Sequence, residues 1–578
     1  MKQRWTITNK PGDVNTVARE QGILPVTARV LLNRNLDTKE KRDAFLHPAV
    51  SGLRDCKKLL NAEKAAEILK AAIEEHKKIR IVGDYDVDGI TSTYVLYSCL
   101  KEQNADISYC IPNRITDGYG INNRIVEDAI CDKVNVLLTC DNGIAAYDTI
   151  KYACDNGMTV VLTDHHEVPF KDDAEILPPA DVIVNPHQKA ETNEFTGYCG
   201  CVVAMKVMEA MGADITKYLP YAAMATLCDV MDLQDENRTI VVRGLELLKK
   251  SGDIGLNALI RANSLEKKDL SAYHIGFVVG PCLNASGRLD TAEKALKMLI
   301  TSDVNEAKNL SIELVALNAE RKKMTEDGVK KAVEIIENKG SLDPVLVVHV
   351  PDCHESVAGI IAGRVREKYA RPTFILTDSE ECVKGSGRST EYYSMFAEMM
   401  KVSDLFIKFG GHPMAAGLSI ERARVAEMSE RLNKNCTLTE EELKKHVKID
   451  VKLPFEYVSE RLVTELEMLS PFGKGNEKPL FAEKNLRVDK AFLIGKTERK
   501  FLKFNFVNAT GYRFTGIYFG DPGSIKEMIA ENFGENEWNN CLSGKPNKVV
   551  ISATYFPEKN EYNGFTSLQA KIEDMYVF

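Results

Sequence analysis

The chain has 578 residues, 44% hydrophobic and 28% charged, with a net charge of -9. That length exceeds one ordinary core and suggests roughly three or four domains of soluble composition. No stretch reaches the ~18 uncharged apolar residues of a membrane span and no apolar signal core opens the chain, so a cytoplasmic protein without membrane contact is expected. The 14 cysteines are scattered with no C-x-x-C pair, which points to reduced core thiols and away from a zinc site or disulfide framework. The negative balance argues against an evenly basic polyanion binder, although a groove can be locally basic on an acidic molecule.

Residues 1–50 mix short helical patterns, close at His47-Pro48 and suggest no chemistry. From 57 to 76, Leu59, Leu60, Ala65, Ile68, Leu69 and Ile73 recur at helical spacing and predict an amphipathic helix. Ile79, Ile81 and Val82 then form a β-branched run, Gly83 breaks it, and Asp84, Asp86 and Asp88 follow at alternate positions before Gly89 leads into a helical stretch. Three like charges this close raise one another's pKa and must be neutralised, most simply by a divalent metal; an isolated D-x-D-x-D also occurs as a solvated turn. The pattern recurs. The run 134–140 stops at Asp141, 159–163 stops at Asp164-His165-His166, and 181–184 stops at Asn185. Such strands, separated by helical stretches such as 145–156, predict βαβ units in a parallel sheet covered on both faces, with ligands outside the carboxyl ends of the strands.

A mainly helical segment follows, in which Asp229 ends an apolar run; a charge there is costly unless paired or ligated. The charged helical pattern of 303–339 suits a helix bridging two domains. Beyond Gly340 a second α/β pattern contains His354 and two glycine-rich stretches, around Lys384 to Arg388 and around Gly410, Gly411 and His412, expected as loops that gather N–H groups and cations on a phosphate. From about 447 the chain becomes strand-rich, and about five short antiparallel strands would suit an OB-fold barrel. There Lys496, Arg499, Lys500 and Lys503 interleave with Phe501 and Phe504, as single-strand binders require, or as a barrel core with a solvated rim would also give.

Asp84, Asp86, Asp88, Asp141, His165, His166 and Asp229 supply carboxylates and imidazoles without thiolate, a mix suited to Mn²⁺ or Mg²⁺, and seven groups fit two ions sharing a bridging carboxylate. Phosphoester or phosphoanhydride hydrolysis follows as the reaction class. Adjacent histidines are expected to diverge, so His165 is assigned to a metal and His166 to the substrate phosphate or to protonation of the leaving group.

These residues resemble the DHH phosphoesterase superfamily, named for the Asp-His-His at 164–166, and within it the RecJ family of single-strand-specific exonucleases. Gly83-Asp-Tyr-Asp-Val-Asp-Gly, Asp141-Asn-Gly-Ile, Val184-Asn-Pro-His-Gln, Asn284-Ala-Ser-Gly-Arg-Leu, the stretches 354–359 and 409–417, and Pro471-Phe-Gly-Lys-Gly-Asn resemble its motifs in order. The resemblance implies an α/β fold class: a parallel-sheet DHH catalytic domain (51–300) after an N-terminal segment (1–50), a connecting helix (301–340), a smaller α/β DHH-associated domain (341–446) and a C-terminal OB-fold β-barrel (447–578). It implies Mn²⁺- or Mg²⁺-dependent removal of nucleotides from the 5′ end of single-stranded DNA in recombination and repair, by a monomer working with a single-strand-binding protein and a helicase. Carried over, Asp84, Asp86, Asp88, Asp141, His165 and Asp229 are metal ligands, and Asp164, His166 and Arg288 are catalytic. Asn284 and Arg288 hold the scissile or neighbouring phosphate, and His354, Arg388, Gly410, Gly411 and His412 bind the strand backbone. Short oligoribonucleotides or cyclic dinucleotides are the alternative substrates.

Overall fold

The computed structural model describes residues 3–114, 116–118, 120–495, 500–562 and 564–577. The chain divides into two compact units, one of residues 48–443 and one in which residues 1–47 join 444–578. Among the described residues no helix is long and apolar enough to cross a membrane.

The larger unit begins with strands β1 (Ile79–Val82), β2 (Ile107–Cys110), β3 (Val136–Cys140), β4 (Thr159–Thr163) and β5 (Val182–Val184), ordered β2-β1-β3-β4-β5. Every pairing is parallel, as expected. β1 and β3 are buried throughout because both faces are covered, and successive residues serve opposite cores. Ile81 and Leu138 pack with helices Ala62–Glu74, Val87–Glu102 and Gly200–Ala210, while Val82, Leu137 and Leu162 pack with Ile125 and Ile150. β2 is the strand that sequence reading missed; it is a half-buried edge strand whose Ile-Ser-Tyr-Cys run lacks the apolar continuity of its neighbours.

Helix Val304–Asn338, capped by Asp303, leads to a second sheet. Its strands are β6 (Leu346–His349), β7 (Thr373–Asp378), β8 (Val383–Arg388), β9 (Phe406–His412) and β10 (Ala415–Ile420), ordered β9-β10-β8-β7-β6. Here the sequence reading is corrected. The glycine-rich stretches expected as loops lie largely on strand β8 and on the β9-β10 hairpin. Gly387 serves packing, since a Cβ on it would meet the Met395 Sδ at 2.2 Å.

In the smaller unit, strands β11 (Phe481–Ile494), β12 (Phe501–Val507), β13 (Arg513–Tyr518), β14 (Val550–Tyr562) and β15 (Phe565–Tyr576) close into a barrel in the order β11-β12-β13-β15-β14, with β14 returning to β11. Closure leaves no open barrel edge. One pairing, β13 with β15, is parallel where all were expected antiparallel, and the long connection that a parallel pair needs runs through helices Pro522–Phe533 and Glu535–Ser543 and then strand β14. Residues 1–47 also acquire a place that local pattern did not suggest. Strand Gln3–Ile7 pairs with Lys445–Ile449, and Leu31, Leu32 and Phe45 share one core with Phe481 and Phe504. Glu465 Oε2 accepts from Leu24 N (2.8 Å) and Thr27 Oγ1 (2.7 Å).

Candidate metal centre and substrate cleft

The three acids after β1 are placed by different local means. Asp86 caps helix Val87–Glu102, its Oδ1 accepting from Gly89 N at 3.1 Å. Asp88 therefore falls in the first helical turn, where the helix dipole favours a carboxylate, and it accepts from Gly200 N (2.6 Å) and Cys201 N (2.7 Å). A Cβ on Gly89 would lie 2.4 Å from the Asp84 carbonyl oxygen, so glycine lets the turn fold back this tightly. Asn284 Oδ1, on helix Gly280–Leu289, accepts from Val87 N at 3.0 Å and ties the turn to that helix. Asp141 follows β3 at a φ of 61°, a left-handed conformation of the kind held in place at functional sites.

Asp84, Asp88 and Asp141 are buried. Burial, reinforced by Asp86 for Asp84 and by Asp88 for Asp141, pushes both carboxyls well above the ordinary range; burial raises Asp88 as well, against the opposing charge of His165.

Asp164, at the end of β4, is saturated by the protein. Its Oδ1 accepts from His165 N (2.7 Å), His166 N (3.1 Å) and His166 Nδ1 (2.7 Å), and its Oδ2 from Ile144 N (2.9 Å). Burial opposes its charge, yet the bond and charge of His166 hold its carboxyl below the ordinary value. Burial presses His166 down too, but the hydrogen bond and charge of Asp164, with Asp229 and Asp88 behind it, carry the imidazole up to about 9. His165 is lowered by its burial.

His165 Nε2 lies 3.1 Å from Asp141 Oδ1, 3.5 Å from Asp88 Oδ2 and 3.7 Å from Asp229 Oδ2. The expected divergence of the two rings is corrected: their centroids are 4.5 Å apart, and His166 Nδ1 is 4.0 Å from the same Asp141 Oδ1. Both backbone N–H groups bond to Asp164 Oδ1, so the chain turns there instead of continuing the alternation of a strand. Asp229, at the end of helix Leu219–Cys228, keeps its side chain 30% exposed, less enclosed than its apolar run suggested.

Three sets of ligand atoms converge, each with its members within 4.8 Å of one another: Asp84, Asp86 and Asp141; Asp88, His165 and Asp229; Asp141, His165 and His166. None contains a cysteine. Oxygen and imidazole donors suit Mn²⁺ or Mg²⁺, and Asp84 Oδ1 is buried without a hydrogen-bond partner, a cost that a cation would remove. The residues present therefore fit divalent cations.

Beside this acidic edge lies a basic one. Arg288 NH1 donates to Ser356 O at 2.8 Å, linking helix Gly280–Leu289 to helix Glu355–Tyr369 of the second sheet. Arg388 ends β8, and Arg114, after β2, sits with its guanidinium carbon 5.1 Å from the Tyr85 ring centroid. Burial, then the charges of Arg114 and Arg321, lower Arg288 to about 10; burial, then Arg114 and Arg366, lower Arg388. Among the described residues none of these three guanidiniums is paired with a carboxylate. Arg114, Ser356, Lys384 and Ser386 line a cleft of about 230 Å³. Lys384 is paired with Glu355 at 2.7 Å. His354 caps helix Glu355–Tyr369, its Nδ1 accepting from Ser356 N at 3.3 Å. Gly410, Gly411 and His412 lie exposed at the end of β9.

In the barrel, Lys500 is exposed and Lys503 half-buried on β12, while Lys496 and Arg499 lie outside the described residues. Phe504 is barrel core, stacked on Phe506 at 5.2 Å between centroids, so it offers no surface for a base. Phe501 packs instead on the exposed Phe519 at 5.3 Å. Sequence reading passed over Arg114 because it missed β2; the usable signal was a β-rich run ending at Ile111-Pro112. The amides of Gly200 and Cys201 carried no side-chain signal.

The DHH family, N-terminal domain model matches residues 78–228, the DHHA1 domain model residues 342–437, and the RecJ OB domain model residues 449–574. The chain is 33% identical over 564 residues to the single-stranded-DNA-specific exonuclease RecJ of Bacillus subtilis, covering 96% of this chain and 71% of that protein. It is 29% identical over 609 residues to the RecJ of Escherichia coli, covering 100% of both. The crystal structure of RecJ from Thermus thermophilus in complex with Mn²⁺ matches with a TM-score of 0.81 at 26% identity, over 99% of this chain and 79% of that one. Likeness of this extent, running unbroken from the acidic turn through both sheets to the barrel, makes the chain a member of the RecJ family of DHH phosphoesterases.

Proposed function

We propose that the chain is a metal-dependent exonuclease that digests single-stranded DNA from its 5′ end and releases mononucleotides, in recombination and repair. The observation that carries this reading is the adjacency, within one unit, of an acidic edge fit for divalent cations and three guanidiniums, Arg114, Arg288 and Arg388, the first close enough to depress the pKa of the other two, with Arg288 also within reach of the charge of Asp86. Asp84, Asp86, Asp88, Asp141, His165 and Asp229 would hold two Mn²⁺ or Mg²⁺ ions, with Asp141 shared between sets. When bound, such ions draw charge from the scissile phosphate and ease ionisation of the attacking water.

The protein's own groups supply the rest. Asp164 fixes His166 through Nδ1, leaving Nε2 as the atom that meets the scissile phosphate or protonates the leaving oxygen. Arg288 and the Nδ2 amide of Asn284 hold the adjoining phosphate, and Arg114 and Arg388 take the terminal one, since planar guanidiniums bind phosphate by paired hydrogen bonds. His354, Gly410, Gly411 and His412 would guide the backbone beyond it, and Lys496, Arg499, Lys500 and Lys503 would track phosphates on the barrel. A single-strand-binding protein and a helicase are proposed as partners because they coat and generate such a strand.

The alternative, hydrolysis of short oligoribonucleotides or cyclic dinucleotides, is not favoured by the barrel of this chain or by relatives named for single-stranded DNA. A direct test offers a 5′-phosphorylated single strand, its duplex and a dinucleotide in parallel with Mn²⁺. Rapid attack on the single strand alone supports the proposal; preference for the dinucleotide overturns it.

A further inference from the structure

The cleft that would receive the terminal phosphate also carries an acid. Strand β8 places Lys384, Ser386 and Arg388 at alternate positions, so all three stand on one face of the sheet. Helix Glu355–Tyr369 packs on that face: a Cβ on Gly359 would come within 2.8 Å of Arg388 NH2, and Glu355 Oε2 lies 2.7 Å from Lys384 Nζ. Arg114, Ser356, Lys384 and Ser386 line the cleft, and Glu355 is the one carboxylate among the described residues that do. It stands in the first turn of its helix, where the dipole favours an anion, with its side chain 30% exposed.

Volume and charge together say what this acid does. At roughly 30 Å³ per water-sized group, a cleft of about 230 Å³ has space for about seven such groups, whereas the phosphate of a monoester brings three free oxygens. A longer end, a di- or triphosphate, is therefore not kept out by lack of room. Charge opposes it instead. The next cation along β8 that an added phosphoryl group would meet is Lys384, and its ammonium is already engaged by Glu355. To sit there the added group must break that ion pair and face a carboxylate of its own sign, a repulsive contact that discriminates without steric fit. The first phosphate meets no such cost, since Arg114, Ser386 and Arg388 offer it donors. We infer that Glu355 is a specificity-determining residue: paired with Lys384, it makes the cleft select strands ending in a 5′-monophosphate over strands ending in a 5′-triphosphate. The inference rests on the reading that this cleft takes the 5′ phosphate of a single strand.

The experiment uses the full chain and two oligo(dT) strands of one length, labelled with fluorescein at the 3′ end, one carrying a 5′-monophosphate and the other a 5′-triphosphate. Affinity is read by anisotropy in EDTA and kcat/KM by digestion with Mn²⁺. Wild type should favour the monophosphate strand about tenfold or more in both readouts. Glu355→Gln should narrow that preference about tenfold, and Glu355→Lys should narrow it further or reverse it, through a gain on the triphosphate strand. A gain on one strand is not what a damaged fold gives. Equal affinity of wild type for the two ends, or a preference untouched by both substitutions, overturns the inference. If the expected preference and its loss in Glu355→Gln appear in anisotropy while Mn²⁺ supports digestion of neither strand, the inference stands and the exonuclease reading falls.

Discussion

Two neighbouring regions of the larger unit carry opposite chemistry, the acidic strand ends of the first sheet and the guanidiniums of Arg114, Arg288 and Arg388, and they are built to different standards. Among the acids at the ends of β1, β3 and β4, Asp88 is held by two backbone amides and Asp164 by three backbone amides and a histidine. The guanidiniums of Arg114, Arg288 and Arg388 are anchored lightly, through one ring contact or one carbonyl oxygen. Under the proposed function, rigidity accompanies the groups that would fix reacting atoms, and adaptability the groups that would receive a chain of phosphates. On the proposed reading, a cation would compensate the charge of one edge and a phosphate that of the other.

The strongest break in this comparison is Asp141→Ala, which touches two of the three ligand sets. Exonuclease rate should fall about 10³-fold or more. Because an uncompensated buried carboxylate destabilises the protein without metal, the melting temperature in EDTA should hold or rise, whereas the Mn²⁺-induced rise of the wild type should vanish. An unchanged Mn²⁺ shift in the variant would remove Asp141 from the centre. Next in size is Asp164→Asn. It keeps the size of the side chain but loses the charge that orients His166, and a loss of about 10- to 100-fold in activity is expected. Steady-state kinetics would contradict the positioning role if the rate held.

On the basic side the effect should be selective. Arg388→Ala should raise KM about 10- to 100-fold for a 5′-phosphorylated strand and much less for a 5′-hydroxyl strand, with kcat little altered, since a charged hydrogen bond is worth roughly 1.5–3 kcal/mol. Equal loss on both strands would deny a terminal-phosphate role. Smallest of all is the barrel. Lys503→Ala should reduce the slope of log affinity against log salt by roughly 0.7 and leave the chemical step alone. A constant slope would make Lys503 part of the solvated rim.

The acidic edge was legible in the sequence because β-branched runs ending in Asp advertise both a parallel strand and its functional end. The β2 end was not legible, for an edge strand lacks that continuity, and Arg114 was lost with it. The glycines of 385–417 looked like phosphate loops because a missing side chain signals close approach without saying to what; in the fold it is neighbouring side chains at Gly385 and Gly387 and backbone at Gly411, while Gly410 faces open space. The docking of residues 1–47 onto 444–578 joins segments about 400 residues apart, a separation no local periodicity spans. The convergence of His165 and His166 depended on one carboxylate turning the backbone, which spacing alone does not encode.

The most direct measurement is digestion of one single-stranded oligonucleotide, labelled separately at each end, with Mn²⁺ and then with EDTA. The proposed function predicts immediate release of the 5′ label as mononucleotide, gradual shortening of the 3′-labelled strand, and arrest of both by EDTA. Release of the 3′ label first, or digestion that continues in EDTA, would contradict the pairing of an acidic metal edge with a cleft for the 5′ phosphate.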